Sequence, residues 1–308
     1  DNGAGIWQKW ANANGNTDWF EEFYDHWAPS QEHNLSINGG TDKTQYLISG
    51  SFLDQKGLMR HGSDKFQRYT LNGKITTAVT DWFKVTYSTK WTREDFERPT
   101  YLTGSFFHNL ARKWPVHPAY DPNGFPMDEG EVEQMENGGK QNSQKDFYTN
   151  QLQLVFEPIK NWKINLEGSV RTTTQYQHWE VLPVYAYNVD GDPYYTVWDM
   201  GYGSYAAGSS RVNEYSWKEN YYTTNIYSDY FKQFDNGHYF KVMAGFNAEL
   251  YKTRNITAEK NTLITPGVPT INTATDDPQA YGGYADNSVA GFFARVNWSY
   301  KDRYMFEA

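Results

Sequence analysis

At 308 residues, 38% hydrophobic and 18% aromatic, with a mean hydropathy of -0.82, the chain combines low greasiness with an aromatic share unusual for a compact enzyme. A net charge of -9 with no basic block excludes the electrostatic footprint of a nucleic-acid binder, and the absence of cysteine excludes disulfides and thiolate metal sites. No run approaches the roughly 18 apolar residues of a spanning helix, so any membrane residence has to be through strands, whose alternating signal leaves mean hydropathy low.

Taken in chain order, Asp1–Gly5 carries neither the charged nor the apolar region of an export signal. Period-two alternation then marks strands. Tyr69, Leu71 and Ile75 oppose Arg68, Asn72 and Lys74; Phe83, Val85, Tyr87, Thr89 and Trp91 oppose Lys84, Thr86, Ser88, Lys90 and Thr92. Ile164, Leu166, Gly168 and Val170 form a third stripe, and Phe240, Val242, Ala244, Phe246, Ala248 and Leu250 a fourth against Lys241, Met243, Gly245, Asn247 and Glu249. A fifth runs through Ala290, Phe292, Ala294, Val296, Trp298 and Tyr300 against Arg295 and Asn297, and Tyr304–Ala308 begins an alternation that is cut short.

The joins decide the architecture. Short turns at Gly40–Thr44, Thr80–Trp82, Lys160–Trp162, Asp235–His238 and Lys301–Arg303 alternate with long links at 58–64, 95–146, 174–216 and 253–286. A sandwich has no reason to gather its tight turns at one end, whereas an outer-membrane barrel has short periplasmic turns and long external loops. The expected fold is therefore all-β, an antiparallel transmembrane barrel. Trp82, Trp162, Phe240 and Tyr304, each close after a short turn, would form the periplasmic aromatic girdle, and Lys84, Lys90, Lys163, Arg171, Glu249 and Arg295 would face the lumen.

Three groups of motifs carry a family resemblance. Asn16–Glu22, His33–Tyr46, Phe52–Gly57, Arg68–Asn72 and Ile75–Val85 resemble the early barrel of SusC/RagA transporters, which are TonB-dependent. Trp114–Gly124 resembles the Pro-rich segment that follows it, and Tyr300–Tyr304 a mid-barrel turn. The resemblance implies a barrel of about 22 strands filled by a plug domain, of which this chain would hold roughly strands two to eleven. Residues 1–31 would be a lead-in from an extracellular loop, and residues 32–308 a partial barrel lacking plug and closing strands. It further implies the outer membrane of a Gram-negative, Bacteroidota-like bacterium, contact with outer-membrane lipid, a SusD-like surface lipoprotein as lid, and coupling to the TonB complex through the missing plug. Oligosaccharides, or else peptides, would be imported, without a cofactor and without catalysis. Half a barrel leaves two open edges, which lipid does not tolerate, so the chain alone should not transport.

Candidate chemistry was weighed against plainer structural roles. The acidic run Asp128, Glu129, Glu131, Glu133 and Glu136 offers carboxylates for glycoside hydrolysis but nothing to orient them, and reads as a solvated loop. Asn188–Asp192 lacks the distal Glu of a calcium loop and reads as a turn; the seven His show no metal-ligand spacing. Loop aromatics are the better binding candidates, since a ring stacks on a sugar's C–H face while amides and charges bond its hydroxyls. The candidates are Phe106, Phe107, Asn109, Arg112 and Trp114, on a short helix expected over 103–114, together with Trp179, Tyr185, Tyr187 and Trp198. The same rings could instead form the external girdle, pack loop on loop, or meet the lid. A soluble or cell-surface carbohydrate-binding sheet protein and a secreted glycoside hydrolase are the alternatives.

Overall fold

The computed structural model describes residues 15–121, 123–127, 130–187, 192–196, 198–199, 204–205 and 208–308. Ten strands form one antiparallel sheet: β1 (Ser30–Gly40), β2 (Thr44–Lys56), β3 (Lys65–Thr80), β4 (Phe83–Pro99), β5 (Lys140–Ile159), β6 (Trp162–Val181), β11 (Arg211–Gln233), β12 (His238–Leu263), β13 (Ala274–Tyr300) and β14 (Tyr304–Glu307). Each pairs with the next along the chain, and β1 and β14 end the sheet without closing it. Between β6 and β11, β7 (Tyr185–Tyr187) pairs with β8 (Pro193–Tyr195), and β9 (Trp198–Asp199) with β10 (Ser204–Tyr205). Among the described residues three α-helices, α1 (Trp19–Phe23), α2 (Gly104–Arg112) and α3 (Val132–Asn137), lie outside the sheet.

The hairpins alternate as the turn signals predict. Connections 41–43, 81–82, 160–161, 234–237 and 301–303 lie at one pole; 57–64, 100–139, 182–210 and 264–273 lie at the other. Tight reversal needs left-handed backbone, supplied by Asn161 (φ 73°), Gly237 (φ 86°), Lys301 (φ 52°) and Asp302 (φ 55°). Pro158, which cannot donate to a ladder, falls where the β5–β6 register slips between Phe156 and Ile159.

Register converts the separate stripes into one surface. Ile37 lies opposite Ile48, Tyr46 opposite Ile75, Ile75 opposite Tyr87, Tyr87 opposite Leu152 and Leu154 opposite Leu166. Leu166 then meets Ile226, Ile226 meets Phe246, and Phe246 meets Phe292. Directly opposed residues share a face, so an apolar band crosses nearly the whole sheet. On β4 it spans Phe83 to Trp91 and on β12 Phe240 to Leu250, the nine to eleven residues that a tilted strand needs to cross a bilayer's hydrocarbon. Rings gather along its short-turn edge: Phe83 stacks on Phe156 at 4.6 Å, and Phe240 lies 6.4 Å from Trp298. Trp162 and Tyr304 fall on the same face, opposite Tyr230 and Tyr300, and Trp82 sits in the β3–β4 turn 6.0 Å from Phe83.

The other face is polar. Lys84, Lys90, Lys163, Arg171, Glu249 and Arg295 all occupy it, Lys90 opposite Thr149 and Thr149 opposite Arg171. Among the described residues neither face is covered by a second layer. Phe292, in the middle of the band, is 87% exposed, and the hydrophobic core instead lies among the connections of the long-loop pole. Among the described residues no helix is long and apolar enough to cross a membrane.

The strands run well past the band at that pole. β4 continues to Pro99, β6 to Val181 and β12 to Leu263, so the long links are shorter than the loss of alternation suggests. Past the apolar band the period-two signal fades although the ladder continues.

Candidate ligand-capturing site at the long-loop pole

The core of this pole is built from segments far apart in sequence. Asp18 caps α1, its Oδ1 accepting from the Phe20 and Glu21 amides at 3.0 and 3.2 Å. That turn buries Trp19 and Phe23, and the Phe23 ring meets Phe106 of α2 edge-on at 5.0 Å. Met59 from the β2–β3 connection, Val132 and Met135 of α3, Val181 at the end of β6 and Val184 just after it join the cluster.

Buried charge fastens it. Glu131, just before α3, accepts from Tyr101 Oη at 2.6 Å, Asn109 Nδ2 at 3.0 Å and Lys113 Nζ at 2.5 Å. Both charged side chains are under a tenth exposed, and the ammonium also lies 4.8 Å from the Trp19 ring centroid. Near it, the His61 ring bridges Glu136 (2.6 Å) and Glu22 (3.0 Å), while the Tyr120 hydroxyl donates to Glu22 at 2.8 Å. Burial and then that bond raise the Tyr120 pKa.

The expected helix exists, with Thr103 as its N-cap and Phe106 and Leu110 on its buried side. Phe106 is 1% exposed, which makes it a wall-to-wall packing residue; Phe107 beside it is 43% exposed. Asn109 is held by Glu131, and Arg112 donates to the Asn109 carbonyl at 3.3 Å. Trp114 is 68% exposed, with its backbone carbonyl fixed by the Trp19 indole N–H at 3.0 Å. Trp179 packs against the cluster. Tyr185 lies on the β7–β8 hairpin, its hydroxyl donating to Tyr195 at 2.7 Å with ring centroids 4.4 Å apart. The side chains of Tyr187 and Trp198 lie outside the described residues, as do Asp128, Glu129 and most of the 188–192 turn.

Sequence reasoning placed Lys90 and Arg171 on the polar face but missed the rings and the further cations grouped with them there. Lys145 Nζ lies 5.0 Å from the Phe147 ring and 5.7 Å from Trp217, and Arg171 lies 5.1 Å from Tyr221. Arg68, Lys90, Phe147 and Arg171 line an open concavity of about 520 Å³. The one trace of this grouping in the sequence is the recurrence of cations and rings on the side that the apolar residues leave free.

Above the band on the other face, His178 lies between Glu180 (2.9 Å) and Glu214 (2.8 Å). Hydrogen bonding to Glu180, opposed by desolvation but reinforced by the bond to Glu214 and the charge of both carboxylates, raises its pKa to about 9. Tyr176, which donates to Glu214, is pushed up to about 12. A folded-state pKa above the unfolded value of about 6.5 means that the imidazolium's stabilisation is complete below that value and is lost as pH rises through about 9. Hydrogen-exchange protection factors at 174–181 and 211–216 should therefore fall between pH 7 and 10, and His178→Gln should flatten that dependence. Protection independent of pH in the native protein would remove the imidazolium's role.

No protein-family model and no curated protein sequence matches the chain. Solved structures do. A RagAB peptide importer in its closed-closed state superposes with a TM-score of 0.76 over 94% of this chain, at 16% identity. A RagAB peptide transporter gives 0.75 over 93% at 16%, and the importer's open-open state 0.72 over 94% at 17%. The fold is that of a TonB-dependent transporter barrel, in part. This SusC/RagA-type architecture is the one the motifs implied. The chain spans about a third, 32%, of each of those chains, and at such identity the likeness is one of fold.

Proposed function

We propose that the chain is part of the wall, and the external capturing loops, of an outer-membrane nutrient importer. The observation that carries the reading is the band of nine to eleven residues crossing the sheet on one face, with a charged opposite face and, among the described residues, nothing packed on either. A soluble sheet protein would hide that band in a dry interior. A glycosidase would need two free carboxylates, yet Glu131 is committed to Lys113, Tyr101 and Asn109.

In this reading the wall is a rigid frame in the outer membrane of a Gram-negative bacterium. Oligosaccharides or peptides are held at the long-loop pole between exposed rings and the plug. The TonB complex pulls the plug to open a path along the polar face, where Lys84, Lys90, Lys163, Arg171, Glu249 and Arg295 hydrate the channel or bond the plug. A SusD-like lipoprotein covers the loops. The RagAB neighbours are peptide importers, and the exposed rings of Trp114, Phe107 and Tyr185 suit a peptide's side chains as well as a sugar's face.

In the full-length protein, Trp114→Ala should weaken capture of its oligosaccharide or peptide about tenfold, the loss of roughly 1.4 kcal/mol of stacking. Phe106→Ala should instead loosen the loops through a cavity. Titration calorimetry against glycan and peptide panels reads the first, and limited proteolysis the second. Unchanged affinity after Trp114→Ala and Phe107→Ala together would take these rings out of the site.

A further inference from the structure

The outer face carries a second feature, just above the apolar band on β11 and β12. The outward residues of β11 run Tyr230, Ile226, Tyr222 and then Asn220 and Lys218; those of β12 run Val242, Phe246, Leu250 and then Lys252 and Arg254. Lys218 lies directly opposite Arg254, and Asn220 opposite Lys252. Like charges opposed on neighbouring strands repel. With Ile256, Tyr284 and Asp286 the three cations line an open concavity of about 600 Å³.

The same level of the wall shows how such a cation is otherwise neutralised. Arg93 on β4, the first outward residue past Trp91, is clamped by both oxygens of Asp146 at 2.9 and 2.8 Å. Lys218, Lys252 and Arg254 form no ion pair among the described residues, and the carboxylate nearest in register, Asp286, accepts from the Tyr284 hydroxyl at 3.3 Å. All three cations are exposed, and beside them Ile256 is 59% and Tyr284 74% exposed.

Depth identifies the partner. The cations are the first or second outward residues beyond the band, about 7 to 13 Å along a tilted strand, which places them in the headgroup layer. They stand at the long-loop pole, hence in the outer leaflet. We propose that this concavity holds the phosphate of a phosphorylated outer-leaflet lipid, with Lys218, Lys252 and Arg254 donating charge-assisted bonds to its oxygens and Ile256 and Tyr284 against its sugar or acyl stem. The assignment rests on the membrane reading above, because only that reading sets a headgroup at this height.

The test uses the full-length protein in detergent micelles doped with monophosphoryl lipid A, with the same lipid lacking phosphate, or with inorganic phosphate at equal concentration. Native mass spectrometry counts the retained lipid. The expected result is retention of the phosphorylated lipid by the native protein and at least a tenfold loss in a Lys218→Gln, Lys252→Gln, Arg254→Gln variant. A heat-dependent shift in gel mobility checks that the variant's barrel is folded. Equal retention by the folded variant, equal retention of the phosphate-free lipid, or equally tight binding of inorganic phosphate would each overturn the proposal. A protein that enters micelles and membranes but selects no phosphate defeats this inference alone; one that never enters defeats the importer reading.

Discussion

Leu152→Arg in the full-length protein is expected to cost about 2–4 kcal/mol, while Gln151→Arg, one residue away, costs close to nothing. Leu152 lies at the centre of the band on β5, opposite Tyr87 on one side and Gly168 on the other. An arginine there must leave its guanidinium in hydrocarbon or drag water and headgroups inward to meet it. Gln151 is opposite Ser88 and Ser169 on the polar face, where a charge joins others already hydrated. Denaturant titration after insertion into lipid vesicles measures both. Similar penalties for the two substitutions would mean that the faces do not differ in their surroundings, and the membrane reading would fall.

Glu131→Ala should unfasten the long-loop pole without unfolding the wall. It removes the carboxylate to which the Lys113 ammonium, Tyr101 and Asn109 all donate. Removing one partner of a buried pair typically costs about 3–5 kcal/mol, more than a loop cluster of this size can spare. Limited proteolysis should cut within 100–139 far sooner than in the native protein, while the strands keep their far-ultraviolet signal. Lys113→Met combined with Glu131→Leu should recover much of the resistance, because apolar groups of similar volume need no partner. If the single substitution were silent and the double one damaging, the pair would be a surface accident and Trp19 packing the true fastening.

These two outcomes probe what was legible in the chain and what was not. Alternation named the faces correctly from Phe83 to Trp91 and from Phe240 to Leu250, because register carries each apolar run onto one side of the sheet and each polar run onto the other. Turn chemistry placed the poles, since Asn161 and Gly237 mark reversals by their backbone freedom alone. The rim was hidden: past Trp91 or Leu250 the alternation fades, and nothing periodic records that the ladder runs on. Phe106 and Phe107 are adjacent identical residues, and only the direction of α2 against Phe23 decides which one is core. The Glu131 network joins residues 101, 109, 113 and 131, and the His61 bridge joins 22, 61 and 136. Those meetings are made by tertiary packing, and no spacing along the chain announces them.

The lengths of the main strands also have a consequence. They rise steadily from 11 residues in β1 through 16 in β3, 20 in β5 and 23 in β11 to 27 in β13. Register divides that growth: of the sixteen additional residues of β13, nine lie past the end of β1 at the tight-turn pole and seven past its start at the long-loop pole, roughly 23 Å of strand before tilt. The wall is thus a ramp rather than a level brim. Among the described residues the helices sit over its low flank, so a cap lowered onto it would meet the tall side first and swing down toward the short one.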